Sequence, residues 1–338
     1  MASNLFSIDL SEQYTRIAHL ETKKNKIELL SLGYDATMPN FYTNPDEKSA
    51  QEEAKLLTTL HRQLNISSTR AHVVIPDTLT YSQLLLMPEL PEEELVKAIR
   101  LQADELVPLP INEVYLDLEI ISKLPNGKLL ILFVASQKKI VDHIFKTIEY
   151  ANLEPISLEN ELTAIGRFLT EFFKFIKDPA ILLNFGYSGS TIYVINPAFP
   201  FFQVTRTSRI GFDVIFRDLK LNTNLSDQKA LEALKTIGLN ANGSVNVYSV
   251  IYPVLNELFS EVEKTILLTQ EKYHLPIRNI YLFNYDNQIA NIHETVQKRL
   301  SLPTQSFPLS NILIPNTITQ TFSQVLSTFI PVIATHIR

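Results

Sequence analysis

The spacing of apolar positions at the start of the chain predicts a strand meander that leads into a helix. Residues 5–10, 16–20 and 27–30 each show the pattern of a strand and are separated by short polar turns. Apolar side chains within 46–64 recur every three to four residues, which is typical of a helix that buries one face. A further strand is predicted at 72–75. These elements indicate an α/β unit at the start of the chain.

The same pattern returns in the second half of the chain. Its three strands and following helix are predicted over 181–185, 190–195, 201–207 and 210–221. A repeated meander that feeds helices predicts a duplicated α/β fold, in which two lobes face each other across a cleft. We expect the first lobe over 1–178 and the second over 179–338, with a helical subdomain at about 222–278.

A different pattern interrupts the first half between about 83 and 152. It predicts a strand, a helix and two more strands, followed by a second helix over 138–150. Pro91 begins the first helix, where its missing N–H is not needed, and Glu92–Glu94 occupy the first turn, where the helix dipole favours acids. Pro108 ends this helix. We therefore expect an inserted strand–helix–strand–strand module within the first lobe.

Composition excludes several classes of function. The chain has no cysteine, so disulfides, thiolate metal sites and a cysteine nucleophile are ruled out. The net charge of −6 does not indicate nucleic-acid binding or an anionic membrane surface. No apolar run approaches ~18 residues, so we expect a cytoplasmic protein without a membrane span. Only 8 of 338 residues are glycine, against a usual ~7%, which leaves few places for a phosphate-binding loop.

One turn nevertheless has the chemistry of a phosphate site. Gly186 and Gly189 flank the turn between the first two strands of the second half, and Ser188, Ser190 and Thr191 add hydroxyl groups. Backbone N–H groups and hydroxyls in such a turn can donate to phosphate oxygens. A glycine-containing hairpin turn explains the same residues equally well.

No residue pattern indicates a catalytic centre. The seven histidines lack the spacing of a helical zinc site, and neither a Gly-x-Ser-x-Gly elbow nor a P-loop glycine–lysine pair is present. Glu232 and Lys235 lie three positions apart on a predicted helix, which on spacing alone is most simply an exposed ion pair. The sequence therefore predicts that the chain is not an enzyme, with no catalytic residue assigned.

Short motifs between residues 87 and 117 resemble a known family. They are Met87-Pro88-Glu89-Leu90-Pro91-Glu92-Glu93-Glu94-Leu95, Ala98-Ile99, Val107-Pro108, Glu113-Val114 and Leu116-Asp117. In this order and spacing they resemble the PilM family, the actin-like cytoplasmic proteins of type IV pilus assembly. Segments at 134–136, 153–155, 184–186 and 210–211 are also similar to the family, so the resemblance extends over essentially the whole chain.

The resemblance implies an actin-like ATPase fold, with the inserted module placed as in the cell-division protein FtsA. It also implies a site for ATP and Mg²⁺, built from two phosphate turns and an adenosine loop. The residues that match this site are Asp9, Ser11, Gly186, Ser188, Gly189, Ser190, Gly211, Glu232 and Lys235. Asp9 would hold Mg²⁺ through water, and Glu232 and Lys235 would reach the adenosine.

Two of the three nucleotide loops depart from the family. In the first turn Ser11 stands where the family has glycine, and Glu12 adds a carboxylate that would repel phosphate. After the strand at 279–282, where the family has glycines, the side chains of Phe283–Asp286 would fill the position of the adenine or stack on it in an altered pose. The sequence therefore predicts a scaffold with a degenerate nucleotide site, and it leaves open whether ATP and Mg²⁺ still bind.

The resemblance also implies a partner. Family members bind the short cytoplasmic N-terminal tail of a bitopic inner-membrane protein, PilN, in a groove beside the inserted module. We expect this groove near Leu84, Leu86, Leu95 and Ile99. Other pilus platform or motor proteins are expected as further partners, and self-association is left open. Neither nucleic-acid binding nor direct membrane insertion is expected.

Two alternative functions remain on the same fold. An ATP-binding filament or switch related to FtsA would require intact phosphate loops and a C-terminal membrane-binding helix. A sugar kinase or similar enzyme would require a catalytic base beside a small-substrate pocket. Fold alone does not decide among these functions.

Overall fold

The protein forms two compact units in a computed structural model that describes residues 5–199, 201–241 and 246–337. The first unit comprises Met1–Glu21, Leu30–Phe168 and Pro331–Arg338, and the second comprises Thr22–Leu29 and Leu169–Ile330. The sequence put the division at 178 and assigned the whole C-terminus to the second lobe. In the structure the last residues belong to the first unit instead, because their buried side chains pack there. Part of the expected helical subdomain, residues 242–245, lies outside the described residues.

The strands and helices are numbered in chain order. The strands are β1 (Phe6–Leu10), β2 (Tyr14–Lys23), β3 (Lys26–Ala36), β4 (Arg70–Ile75), β5 (Thr80–Pro88), β6 (Val114–Lys123), β7 (Lys128–Gln137), β8 (Glu154–Asn160), β9 (Ala180–Phe185), β10 (Ser190–Ile195), β11 (Phe202–Ser208), β12 (Asn279–Asn284) and β13 (Thr304–Ser306). The helices are α1 (Glu47–Gln63), α2 (Glu92–Leu106), α3 (Lys138–Tyr150), α4 (Glu161–Phe172), α5 (Phe212–Thr223), α6 (Asp227–Thr236), α7 (Val247–Tyr273), α8 (Ile292–Leu300), α9 (Thr317–Thr321) and α10 (Ile330–His336).

The first unit is built on a five-stranded mixed sheet. Its strand order is β3-β2-β1-β4-β8, with β1 antiparallel to β2 and parallel to β4, and β4 parallel to β8. Every residue of β1 is buried, as expected for a strand with both faces covered. Helices α1 and α3 pack against this sheet, where Leu57 and Ile144 are completely buried.

The inserted module forms a separate three-stranded antiparallel sheet. Its order is β5-β7-β6, and α2 covers one face, where Leu95 and Ile99 pack with Ile131 and Phe133. The sequence extended the module to residue 152. Helix α3 instead joins the core of the five-stranded sheet, because its apolar stripe packs with α1 and β1.

The second unit repeats the topology of the first sheet. Its order is β11-β10-β9-β12-β13, with the first two pairings antiparallel and the next two parallel. Two sheets with the same strand order in one chain confirm the duplicated α/β fold. Helices α5 and α7 bury Ile215, Leu255 and Phe259 against this second sheet. Among the described residues, no helix combines the length and apolar character needed to cross a membrane.

Candidate functional site

The first turn joins β1 to β2 and is organised around one arginine. Asp9 and Arg16 are cross-strand partners in this hairpin, so their side chains share a face. Arg16 Nη1 lies 3.0 Å from Asp9 Oδ2 and 2.7 Å from the hydroxyl of Ser11. The guanidinium also lies over the ring of Tyr14, 5.5 Å from its centroid. Sequence reasoning missed Arg16, although its register opposite Asp9 follows from the three-residue turn.

The carboxylates around this turn are buried. Burial raises the pKa of Asp9 to about 6, although Arg16 acts in the opposite direction. The pKa of Glu161, at the start of α4, is raised well above its usual value by burial and then by the charges of Asp77 and Asp9. Asp9 Oδ1 is buried without a hydrogen-bond partner among the described residues. In the part of the chain that is described, no group of three or more His, Asp or Glu side chains is arranged to hold a metal ion.

The second turn, between β9 and β10, is packed against the start of α5. The N–H of Phe212 donates to the carbonyl oxygen of Gly186 at 3.0 Å. A Cβ on Gly211 would lie 2.1 Å from the carbonyl oxygen of Tyr187, and one on Gly186 would lie 2.6 Å from that of Gly189. Glycine is therefore required here by the close approach of two backbone segments.

The serines of the second turn differ in their environment. Ser190 is buried and donates to the carbonyl oxygen of Ile210 at 2.6 Å, so its hydroxyl hydrogen is used within the fold. Ser188 is half-buried at the tip of the turn. The turn thus has the tight backbone expected from the sequence, and the α5 packing explains its glycines without a ligand.

The loop after β12 is filled by side chains. Tyr285 is buried and stacks on Phe212, with ring centroids 5.0 Å apart. Asp286 is completely buried, and its carboxylate accepts hydrogen bonds from the hydroxyls of Ser306 and Ser327, each at 2.9 Å. His293 Nε2 lies 3.0 Å from the same carboxylate. These residues form an internal polar cluster that the sequence did not indicate.

The predicted adenosine pair lies on α6. Glu232 and Lys235 are both exposed on this helix. The backbone of α6 is bonded to the loop after β12, since the N–H of Ala290 donates to the carbonyl oxygen of Leu234 at 2.9 Å. The structure therefore places this pair on the helix next to the filled loop.

A cavity of about 650 Å³ lies within the first unit, beneath the inserted sheet. One wall is formed by β6 and β7, including Tyr115, Asp117 and Glu119. The opposite wall is formed by α3, β8 and α4, including Phe145 and Arg167. Tyr115 is 47% exposed and Phe145 is 41% exposed, so apolar surface is open to an occupant here.

The structure corrects half of the predicted partner groove. Leu95 and Ile99 are buried in the core between α2 and the inserted sheet, so neither is available to a partner. Leu84 lies directly opposite Leu132 across the β5–β7 pair, and Leu132 lines the cavity. Leu86, on the same face two residues further on, is 56% exposed. The cavity is therefore on the face of the sheet opposite to α2.

An ion pair in the cavity wall also holds the C-terminal residues. Arg167 Nη2 donates to both oxygens of Glu159, at 2.7 and 2.9 Å. Arg167 Nε donates to the carbonyl oxygen of Ile337, and the hydroxyl of Thr335 donates to Glu159. The cavity wall and the C-terminal segment thus share one hydrogen-bond network, which no residue pattern in the sequence indicates.

Known structures share this fold. A PilM-PilN type IV pilus biogenesis complex contains a chain with a TM-score of 0.83 and 15% identity, over 99% of this chain and 98% of that one. The ethanolamine utilization protein EutJ from Carboxydothermus hydrogenoformans is similar over 98% of this chain and 88% of its own, with a TM-score of 0.55 and 11% identity. A Bacteroides thetaiotaomicron protein with an actin-like ATPase fold is similar over 95% of each chain, with a TM-score of 0.51 and 8% identity. These likenesses establish an actin-like fold.

The family is established by sequence. No curated protein matches the chain. A sequence model of the family described as type IV pilus assembly protein PilM matches residues 7–327. This match covers nearly all of the two sheets, the inserted module and the cavity described above. The chain therefore belongs to the PilM family of type IV pilus assembly proteins.

Proposed function

We propose that this chain is a cytoplasmic scaffold of type IV pilus assembly that binds the N-terminal tail of a bitopic inner-membrane protein. The carrying observation is the cavity beneath the inserted sheet, which lies in a chain of the PilM family. Support also comes from the similar fold in a PilM-PilN complex. In this proposal the membrane protein holds the chain at the inner face of the membrane, and other pilus platform proteins bind elsewhere.

The geometry of β6 favours an extended peptide as the occupant. In the order β5-β7-β6, β6 is an edge strand of its sheet, and residues 115–119 line the cavity. An extended chain can add to such an edge through backbone hydrogen bonds, with alternate side chains entering pockets. Phe145 and Tyr115 offer apolar contacts for those side chains.

The charges of the cavity favour a basic tail. Asp117, Glu119, Glu159 and Arg167 line it, and Arg167 is already paired with Glu159. Two exposed carboxylates, those of Asp117 and Glu119, therefore face an occupant without an equal positive charge. A tail with lysine or arginine beside its apolar anchors is complementary to this surface.

We further infer that the nucleotide site is degenerate. Three features support this: the guanidinium of Arg16 at Asp9, the packing of the second turn against α5, and the buried ring of Tyr285 after β12. The residues present do not fit a magnesium–ATP complex, and we assign no step of the function to one. Calorimetry that detected Mg²⁺-ATP binding lost in Asp9→Ala would contradict this part of the proposal.

The tail-binding proposal is tested with a labelled synthetic peptide. The peptide carries the cytoplasmic N-terminal residues of the bitopic membrane protein from the same pilus system, and binding is followed by fluorescence anisotropy. We expect Phe145→Ala to weaken binding by roughly tenfold, because it removes an apolar anchor. Phe175→Ala is the matched control, since Phe175 is similarly exposed at 46% but lies outside the cavity.

The charge component has its own pair of variants. Glu119→Lys reverses a cavity carboxylate and should weaken binding, most strongly at low salt. Glu149→Lys makes the same change on the exposed side of α3, away from the cavity, and should leave affinity unchanged. Equal effects of the cavity and control variants, or no binding by the wild type, would refute this docking site.

A further inference from the structure

The turn between β1 and β2 contains a positively charged side chain, that of Arg16. Arg16 Nη1 is within 3.0 Å of the Asp9 carboxylate, 2.7 Å of the Ser11 hydroxyl and 3.5 Å of the carbonyl oxygen of Tyr14. A carboxylate, a hydroxyl and a carbonyl are the oxygen ligands that a hard divalent cation selects. One guanidinium nitrogen therefore sits among the oxygens that would otherwise attract such an ion.

This arginine is fixed in place. Arg16 is 3% exposed and Asp9 is 1% exposed, so the pair is removed from water. The register of β1 and β2 sets the two residues directly opposite each other, and the ring of Tyr14 covers the guanidinium. A metal ion bound at Asp9 Oδ2 would have to displace Arg16, which would leave a buried guanidinium without its carboxylate. The residues of this turn therefore do not fit Mg²⁺.

We propose that Arg16 is an internal replacement for the divalent cation at the first turn, so that Asp9 is neutralised without metal. The inference rests on the degenerate nucleotide site in the proposed function. The proposal predicts that the wild-type chain does not bind a divalent cation at Asp9. It also predicts that removal of the Arg16 charge allows such an ion to bind there.

The test uses Mn²⁺ alone, with neither nucleotide nor partner peptide. Mn²⁺ binding is measured on the full chain by electron paramagnetic resonance of the free ion. We expect no Asp9-dependent binding in the wild type. Arg16→Gln should bind Mn²⁺ at least about tenfold more tightly than any residual binding by the wild type, because Asp9 then lacks a counter-charge. Arg16→Lys keeps the charge and should remain without binding, and Asp9→Asn/Arg16→Gln should lose the new site.

Three results would overturn the proposal. They are wild-type Mn²⁺ binding that Asp9→Asn abolishes, a folded Arg16→Gln that gains no binding, and an Arg16→Lys that gains as much as Arg16→Gln. The first comparison does not require Arg16→Gln to fold. Failure of the tail peptide to bind would leave all three results unchanged, so the two proposals fail separately.

Discussion

His336 makes the first unit sensitive to mild acid. Its side chain is buried near the end of α10, and Nδ1 lies 3.1 Å from the hydroxyl of Ser7 on β1. Burial lowers the pKa of His336 from 6.5 to about 4, and the nearby charges of His72 and His19 act in the same direction. The folded state thus resists protonation that the unfolded chain accepts.

The sign and size of the effect follow from these two pKa values. Because the folded pKa is the lower one, the contribution of His336 is fully present above pH 6.5 and is lost as the pH falls toward 4. Between pH 7.5 and 5.0 the loss is about 2 kcal/mol, since each pKa unit corresponds to about 1.4 kcal/mol. Burial raises the pKa of Asp9 to about 6, which changes stability in the opposite direction over part of this range. The total pH dependence is therefore mixed, and a variant is needed to isolate His336.

The perturbation is His336→Asn, which keeps a polar group near Ser7 and removes the titration. Urea unfolding followed by circular dichroism at pH 7.5 and 5.0 gives the free energy of each transition. We expect the free energy of unfolding to fall by about 2 kcal/mol more in the wild type than in the variant when the pH is lowered from 7.5 to 5.0. If urea unfolding shows two transitions, the comparison is made on the one whose midpoint the substitution changes. His274→Asn is the control, because His274 is exposed and has a left-handed backbone that asparagine tolerates. Equal losses in the wild type and His336→Asn would refute the reasoning.

Two further predictions concern packing. Leu95→Ala should lower the free energy of unfolding by about 3 kcal/mol because it empties a fully buried position, whereas Leu86→Ala, at 56% exposure, should cost about 0.5 kcal/mol or less, as measured by urea unfolding. Gly211→Ala should cost about 3 kcal/mol, because the new Cβ would lie 2.1 Å from the carbonyl oxygen of Tyr187. Gly127→Ala, where φ is +77° and no atom lies within 4 Å, should cost only about 1 kcal/mol. Similar losses in the free energy of unfolding for the two members of either pair would contradict these assignments.

The strand meander that opens each sheet could be predicted because it rests on local patterns. Runs such as β1 and β9 are mostly apolar and are buried along their whole length, and their neighbours β2 and β10 follow after short turns. Such hairpins form between segments that are close in sequence, so periodicity and turn residues are sufficient to indicate them. The motifs from Met87 to Asp117 likewise identified the family, which the match over residues 7–327 confirms.

The candidate site was only partly predictable. Asp9 and the second turn were found because their residue types belong to the nucleotide sites of the family. Arg16 was missed because the family motif covers only the turn, whereas Arg16 lies on the next strand, opposite Asp9 across the hairpin. The sequence leaves open whether ATP and Mg²⁺ bind, and the calorimetric and Mn²⁺ measurements test this.

The partner groove shows most clearly where sequence information ends. Leu84, Leu86, Leu95 and Ile99 are all apolar positions on neighbouring elements, and periodicity groups them as one surface. Strand alternation places Leu84 and Leu86 on one face of the inserted sheet, whereas α2 buries Leu95 and Ile99 on the other.

By itself, the sequence determined the two strand meanders, most of the helices and the family, because each of these depends on patterns of residues close along the chain. Only the tertiary structure decided which face of the inserted sheet is open, and that the C-terminal residues join Glu159 and Arg167 in the cavity wall. Thr335 and Glu159 are 176 positions apart. Contacts at such separations depend on how whole elements pack, which no local pattern of residues encodes.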